Sequence, residues 1–150
     1  WAVVGTALYY ACGLTVLDAV NHCFAALSTG GFSTRSASIG GFGNPAVEAV
    51  SVVLMLAGST NFLIHHALWK GHLRTALRSG EVRLAGLLLV LAIPALAAAA
   101  GASGSLAARL RVVAFEAVSA LTTTGFTLTS YAGWTGSSTR TGFTIRGELL

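Results

Sequence analysis

Three apolar runs divide the chain: Trp1 to Leu17, Pro45 to Trp69 and Leu84 to Ala102. Only the second carries a charge, Glu48 in its first turn. The last two reach the roughly 20 residues that cross a bilayer as a helix. The first begins abruptly, as the tail of a longer helix would. It does not read as a secretory signal, because no basic region precedes Trp1 and no cleavage site precedes the polar segment. Asn44 followed by Pro45 predicts a helix start, with the amide side chain capping free N–H groups and the ring pre-set for the first turn; that helix is expected to run to about Lys70. Pro94 removes a hydrogen bond inside the third run and predicts a kink there.

Two shorter apolar segments, Asp18 to Ser28 and Arg111 to Leu121, make about three helical turns each and cannot span. Each leads into a glycine and hydroxyl motif, "ALSTGGFST" from Ala26 and "ALTTTGFTLT" from Ala120. Ala26, Leu27, Gly31 and Phe32 recur 94 residues on as Ala120, Leu121, Gly125 and Phe126. The order spanning helix, short helix, irregular glycine segment therefore occurs twice, although the preceding spanning helices do not align without a length change. Irregular backbone at membrane depth is tolerated only inside protein or beside a water-filled cavity, since each unsatisfied polar group in hydrocarbon costs several kcal/mol. A half-spanning helix ending in such a segment predicts a re-entrant pore loop. Its partly negative C-terminal end favours a cation, the carbonyls of "STGGF" and "TTTGF" can replace the ion's water shell, and glycine tolerates the dihedrals this demands.

Composition agrees with a membrane setting. The 150 residues are 54% hydrophobic and 9% charged, with mean hydropathy +0.74, far from the quarter-charged makeup of soluble domains. The expected fold class is an all-α integral membrane protein of helix, re-entrant pore loop, helix repeats. Lys70, Arg74, Arg78 and Arg83 cluster with His72 between the second and third runs, which places that connection in the cytoplasm by the positive-inside rule and argues against a nucleic-acid patch. Arg109 and Arg111 fall on the expected outer side against this rule but are fewer; Arg35 is expected at the outer face. Cys12 and Cys23 lack any CxxC spacing and read as small buried residues.

The same residues carry a resemblance. "LDAVNHCFAALSTGGFSTRSASIGGF", Leu17 to Phe42, resembles the second pore repeat of the Trk/Ktr/HKT potassium transporter family, most closely its TrkH-type subunits. "AFEAVSALTTTGFTLTSYAGW", Ala114 to Trp134, resembles the third. The resemblance implies four such repeats with pseudo-fourfold symmetry around one potassium pathway, in the plasma (inner) membrane of a bacterium, with potassium as transported ion and no bound cofactor. It implies as partners the remaining repeats, a second copy in a homodimer and a cytosolic nucleotide-binding regulatory subunit. Filter positions carry over as Ser28, Thr29, Gly30 and Gly31, and as Thr122, Thr123, Thr124 and Gly125. Residues 1–79 would form the second-type repeat, 80–134 the start of the third-type, and 135–150 a divergent tail. The family pattern calls for another spanning helix after Trp134, where this chain reads "TGSSTRTGFTIRGELL". That tail is too polar and short to cross, and its "TGFT" from Thr141 follows no short apolar helix. The expectation is an internal piece of a longer transporter, or a truncated or frame-shifted product. A carbonyl ring needs about four loops, so two alone are expected to conduct no selective current.

Other residues admit plainer readings. The glycines could be helix-packing or turn residues. Phe32 and Phe126 are expected to support the filter as core rather than bind ions, and Asp18 and Asn21 to form a helix N-cap region. Glu116, within the second short helix, is the candidate for drawing cations toward the mouth; Glu48 is expected at the interface. Two other functions stay open: a membrane enzyme with a metal among His22, His65, His66 and Glu116, which lacks HExxH or other ligand spacing, and a noncatalytic membrane anchor or assembly subunit, which leaves the repeated motif without a purpose.

Overall fold

The structure, a computed structural model, describes residues 1–72, 79–99 and 105–129, and every described element is helical. The tail from Thr135 with its "TGFT", and Arg74 and Arg78 of the basic cluster, lie outside these residues. Helix α1 (Ala2–Ala11) turns through Gly13 into α2 (Val16–Leu27). Thr15, rather than Asp18 or Asn21, caps α2: its Oγ1 accepts from the Asp18 N–H at 3.2 Å. Asp18 instead supplies an acid to the first turn, where the helix dipole favours it. The Asn21 amide donates back to the Leu17 carbonyl at 2.9 Å.

A short 3-10 turn (Ser38–Phe42) leads to α3 (Pro45–Ser59). Asn44 caps α3 as its sequence predicts, its Oδ1 accepting from the Ala46 N–H at 3.0 Å, and its side-chain amide also donates to the Cys12 carbonyl at 3.0 Å. One residue thus starts α3 and fixes it beside the end of α1.

The expected helix to Lys70 is broken. α3 stops at Ser59, Thr60 is extended (φ −87°, ψ 141°), and α4 (Phe62–Trp69) begins anew. Three consecutive polar residues, Ser59, Thr60 and Asn61, cause this, because their side chains compete for the backbone. Asn61 Oδ1 accepts from the Leu63 N–H at 3.1 Å and so caps α4, while Thr60 Oγ1 donates to the Leu56 carbonyl at 2.5 Å. The Ala57 carbonyl receives His65 Nε2 at 2.9 Å. Indole N–H is only a donor, so Trp1 Nε1, 3.1 Å from His65 Nδ1, makes that nitrogen the acceptor and leaves the ring proton on Nε2.

Helix α5 (Gly80–Ala99) contains Pro94 and is, among the described residues, the one helix long and apolar enough to cross a membrane. It leaves Leu84, Leu87, Val90 and Leu91 exposed; exposure to water would forgo about 1.5–3 kcal/mol per side chain, whereas lipid removes that penalty. Helix α6 (Leu106–Leu121) starts before the expected Arg111 because Ser105 caps it, Oγ accepting from the Ala108 N–H at 3.3 Å.

Helix α3 is the hub, packed on α1, α2, α6 and the 3-10 turn, and α5 packs on α6. Buried Tyr9 of α1 meets Ser51 of α3 at 2.8 Å; the Ser51 hydroxyl donates to the Val47 carbonyl, so Tyr9 is the donor to Ser51. Gly58 lies so close to the end of α2 that a Cβ there would overlap the Leu27 carbonyl oxygen. The C-termini of α2 and α3 therefore lie side by side, and the break at Thr60 sits at the level where the first glycine segment begins. Tyr9, Cys23, Leu54, Met55 and Phe126 are fully or almost fully buried in one cluster that joins the two halves of the chain.

Candidate ion pathway

Both short helices end in the same way. Ser28 and Thr122 hold nearly identical right-handed dihedrals, φ −81°, ψ 0° and φ −80°, ψ −1°. Thr29 and Thr123 follow with φ of 51° and 57°, and Gly31 and Gly125 with 67° and 85°. A left-handed threonine costs roughly 1–2 kcal/mol, so its occurrence at both matching positions marks a required conformation rather than a chance turn.

The amide hydrogens of the two segments go to the helix ends. In the first, Ser28, Thr29 and Gly30 donate to Phe24, Ala26 and Ala25 at 2.9, 3.2 and 2.8 Å. In the second, Thr122, Thr123 and Thr124 donate to Val118, Ala120 and Ser119 at 2.9, 3.1 and 3.0 Å. This satisfies carbonyls that a helix C-terminus leaves over. Among the described residues, no hydrogen bond is accepted by the carbonyls of 28–31 or 122–125. Each segment consumes donors and keeps acceptors.

The two segments touch. A Cβ on Gly31 would overlap the Thr124 carbonyl oxygen, and a Cβ on Gly40 would overlap that of Leu128. The 3-10 turn straps the limb leaving the second motif: Gly40 N–H donates to the Thr127 carbonyl at 3.0 Å, and the Thr127 N–H to Ser38 Oγ at 3.2 Å. Ser119 Oγ holds the Phe126 carbonyl at 2.7 Å, and the Thr122 and Thr124 hydroxyls meet at 2.8 Å. Thr122 and Thr124 are buried, Thr123 and Gly125 exposed; in the first copy Ser28 and Gly30 are exposed, Thr29 and Gly31 half-buried. The phenylalanines differ: Phe126 is wholly buried, whereas Phe32 is 82% exposed.

Polar side chains behind the segments are engaged. His22 Nδ1 donates to the Asp18 carbonyl at 2.8 Å, and its Nε2 lies 2.8 Å from Ser33 Oγ. Thr34 Oγ1 donates to Asp18 Oδ1 at 2.5 Å, and Arg35 stands 3.6 Å from Asp18 Oδ2 and over the Phe42 ring. The Thr34 hydroxyl above all, with the Thr15 hydrogen bond and the Arg35 charge, holds the Asp18 carboxyl below the usual carboxylate range. Glu116 Oε1 accepts from the Leu128 N–H at 2.9 Å. Glu48 is buried and paired with Arg111. Among the described residues no three His, Cys, Asp or Glu side chains gather as metal ligands, and His66 is exposed.

The family model described as TrkH, a cation transport protein, matches residues 3–85. The chain belongs to the TrkH family. A TrkH potassium uptake protein of Halomonas elongata is 31% identical over 86% of the chain, and a TrkI potassium uptake protein of the same organism 35% over 84%. The crystal structure of the potassium transporter TrkH from Vibrio parahaemolyticus superposes with a TM-score of 0.76 and 29% identity, over 89% of this chain and 30% of that one. The chain spans 27% and 26% of the two Halomonas relatives. As a TrkH-family chain it is an all-α membrane protein and not an enzyme, which removes the metal-enzyme alternative.

Sequence reasoning located both TrkH-type motifs but not what holds them. Ser38 and Gly40 lay in a Gly and Ser-rich stretch with no periodicity to single them out, and Glu116 and His22 gave only their residue types.

Proposed function

We propose that the chain contributes two adjacent pore loops to a potassium uptake transporter, with the carbonyls of Ser28–Gly31 and Thr122–Gly125 as ligands for the dehydrated ion. The observation that carries this reading is the shared donor-consuming, acceptor-sparing backbone: two helix ends with their amides turned inward to the helix leave carbonyls for a cation, and the residual negative helix ends add to the attraction. Potassium, rather than another cation, rests on the potassium uptake proteins to which the chain is similar. The remaining loops of the ring come from further repeats, in the inner membrane of a bacterium, in a homodimer served by a cytosolic nucleotide-binding subunit. No covalent step is involved.

The test replaces Gly31 and, separately, Gly125 with Ser in the complete transporter and follows potassium and sodium flux into proteoliposomes. A reduced potassium preference is expected in each; an unchanged ratio in both removes these segments from the filter and leaves a structural role.

A further inference from the structure

His22 and Glu116 occupy the same place in the two repeats. Both lie on the short helices, nine residues before Gly31 and Gly125 respectively. Their chemistry differs, one an imidazole and the other a carboxylate, and no sequence alignment by residue type would pair them. Their contacts do. Each side chain reaches past the glycine segment to the limb that leaves it: His22 Nε2 to Ser33 Oγ, two residues after Gly31, at 2.8 Å, and Glu116 Oε1 to the Leu128 N–H, three residues after Gly125, at 2.9 Å.

The proton pattern on the first side is complete. His22 Nδ1 faces a carbonyl and must donate, so in the neutral ring Nε2 accepts the Ser33 hydroxyl proton, while Ser33 Oγ in turn accepts from the Arg35 N–H at 3.1 Å. The ring stands between the two halves, edge-on to Phe42 at 5.1 Å and stacked on Phe126 at 6.0 Å. On the second side Glu116 uses an oxygen as acceptor for a main-chain donor.

We propose that His22 and Glu116 are corresponding positioning residues, each spanning from its short helix to the departing limb and thereby setting the height of the carbonyls between. The inference rests on the filter reading above. Under it, Glu116 acts through its length and its acceptor oxygen rather than through its charge.

Length and charge separate cleanly by substitution. Glu116→Gln keeps the reach and an acceptor oxygen but removes the charge; Glu116→Asp keeps the charge but shortens the side chain by one methylene. His22→Gln places a polar group at the Nε2 position, whereas His22→Asn reaches only as far as Nδ1. The four variants are made in the complete transporter beside Gly31→Ser, and the potassium-to-sodium flux ratio is measured in proteoliposomes. The expected result is that E116D and H22N each lower the ratio about fivefold, the scale of one net hydrogen bond, and that E116Q and H22Q restore most of it. A ratio lowered by E116Q as far as by E116D, or left intact by E116D and H22N, overturns the proposal while a response to G31S keeps the filter reading. Should E116D or H22N fail to fold, E116Q still decides, because a role through charge requires its ratio to fall. Unchanged ratios in all five variants overturn the proposal, and an unchanged ratio in Gly125→Ser as well overturns the filter reading.

Discussion

Arg111 Nε lies 3.4 Å from Glu48 Oε2, joining the second short helix to the first turn of α3. The pair crosses between the two repeats, and its partners are unequal: the Arg111 side chain is 54% exposed and that of Glu48 10%. Solvent screens the arginine, so the attraction between the two charges is worth no more than about 1 kcal/mol. Glu48 also serves the dipole at the α3 N-terminus. Thermal unfolding in detergent should show Glu48→Ala destabilising more than Arg111→Ala; equal effects would mean that the ion pair alone accounts for Glu48.

The two motif glycines, Gly31 and Gly125, should not respond equally to a methyl group. At Gly125 a Cβ meets no atom within 4 Å, so Gly125→Ala bears the left-handed dihedral alone, roughly 1–2 kcal/mol. At Gly31 the same strain is joined by overlap with the Thr124 carbonyl. Gly31→Ala should lower thermal stability and potassium flux well beyond Gly125→Ala, and the reverse order would contradict the contact between the loops.

Gly58→Ala tests the side-by-side helix ends. Its Cβ would overlap the Leu27 carbonyl oxygen, a backbone atom that cannot rotate away, so α3 must move from α2 at a cost of about 1–3 kcal/mol. A helix-propensity gain of about 1 kcal/mol for Gly→Ala offsets part of this. A stabilised Gly58→Ala protein would show that the two ends are further apart.

Asp18 carries a pH dependence of definite sign. Its folded pKa is depressed, chiefly by the Thr34 hydroxyl, so the folded chain binds the proton less well than the unfolded one. The stabilisation is present above the ordinary carboxylate value of about 3.9 and is lost as pH falls through the lower folded value. Melting temperatures of wild type and Asp18→Asn should differ most near neutrality and converge below that range; a constant gap would sink the assignment.

The basic cluster predicts the topology: exposed His72, at its edge, is expected in the cytoplasm and exposed Ser36 at the outer face. Single cysteines at these positions, in a background without Cys12 and Cys23, should react with an impermeant thiol reagent on intact cells at position 36 and not at 72. The opposite pattern would invert the chain in the membrane.

The helix ends were readable where local chemistry decides them. Leu27 and Leu121 close their helices at the start of the two glycine and hydroxyl motifs, where the sequence places the ends, and Asn44 with Pro45 opened α3 as expected. What was hidden depended on contacts across the fold. Thr60 interrupts an apolar run whose composition says only that it is long enough to cross a bilayer, and its break is completed by His65 from the next turn and Trp1 from the chain's far end. The bond from Glu116 to Leu128 requires the limb to fold back, which no spacing announces. Asp18 looked like a cap and proved to be a first-turn acid, because Thr15, three residues earlier in the linker, takes the cap.

The contact between Gly31 and the Thr124 carbonyl makes the two motifs answerable to each other. Duplicated segments ordinarily drift apart, each free to accumulate its own substitutions. Here enlargement of one copy displaces the main chain of the other, so a change at Gly31 would survive only with a compensating retreat at Thr124. The side chains behind the loops are under no such mutual constraint: a histidine in one copy and a glutamate in the other stand 94 residues apart.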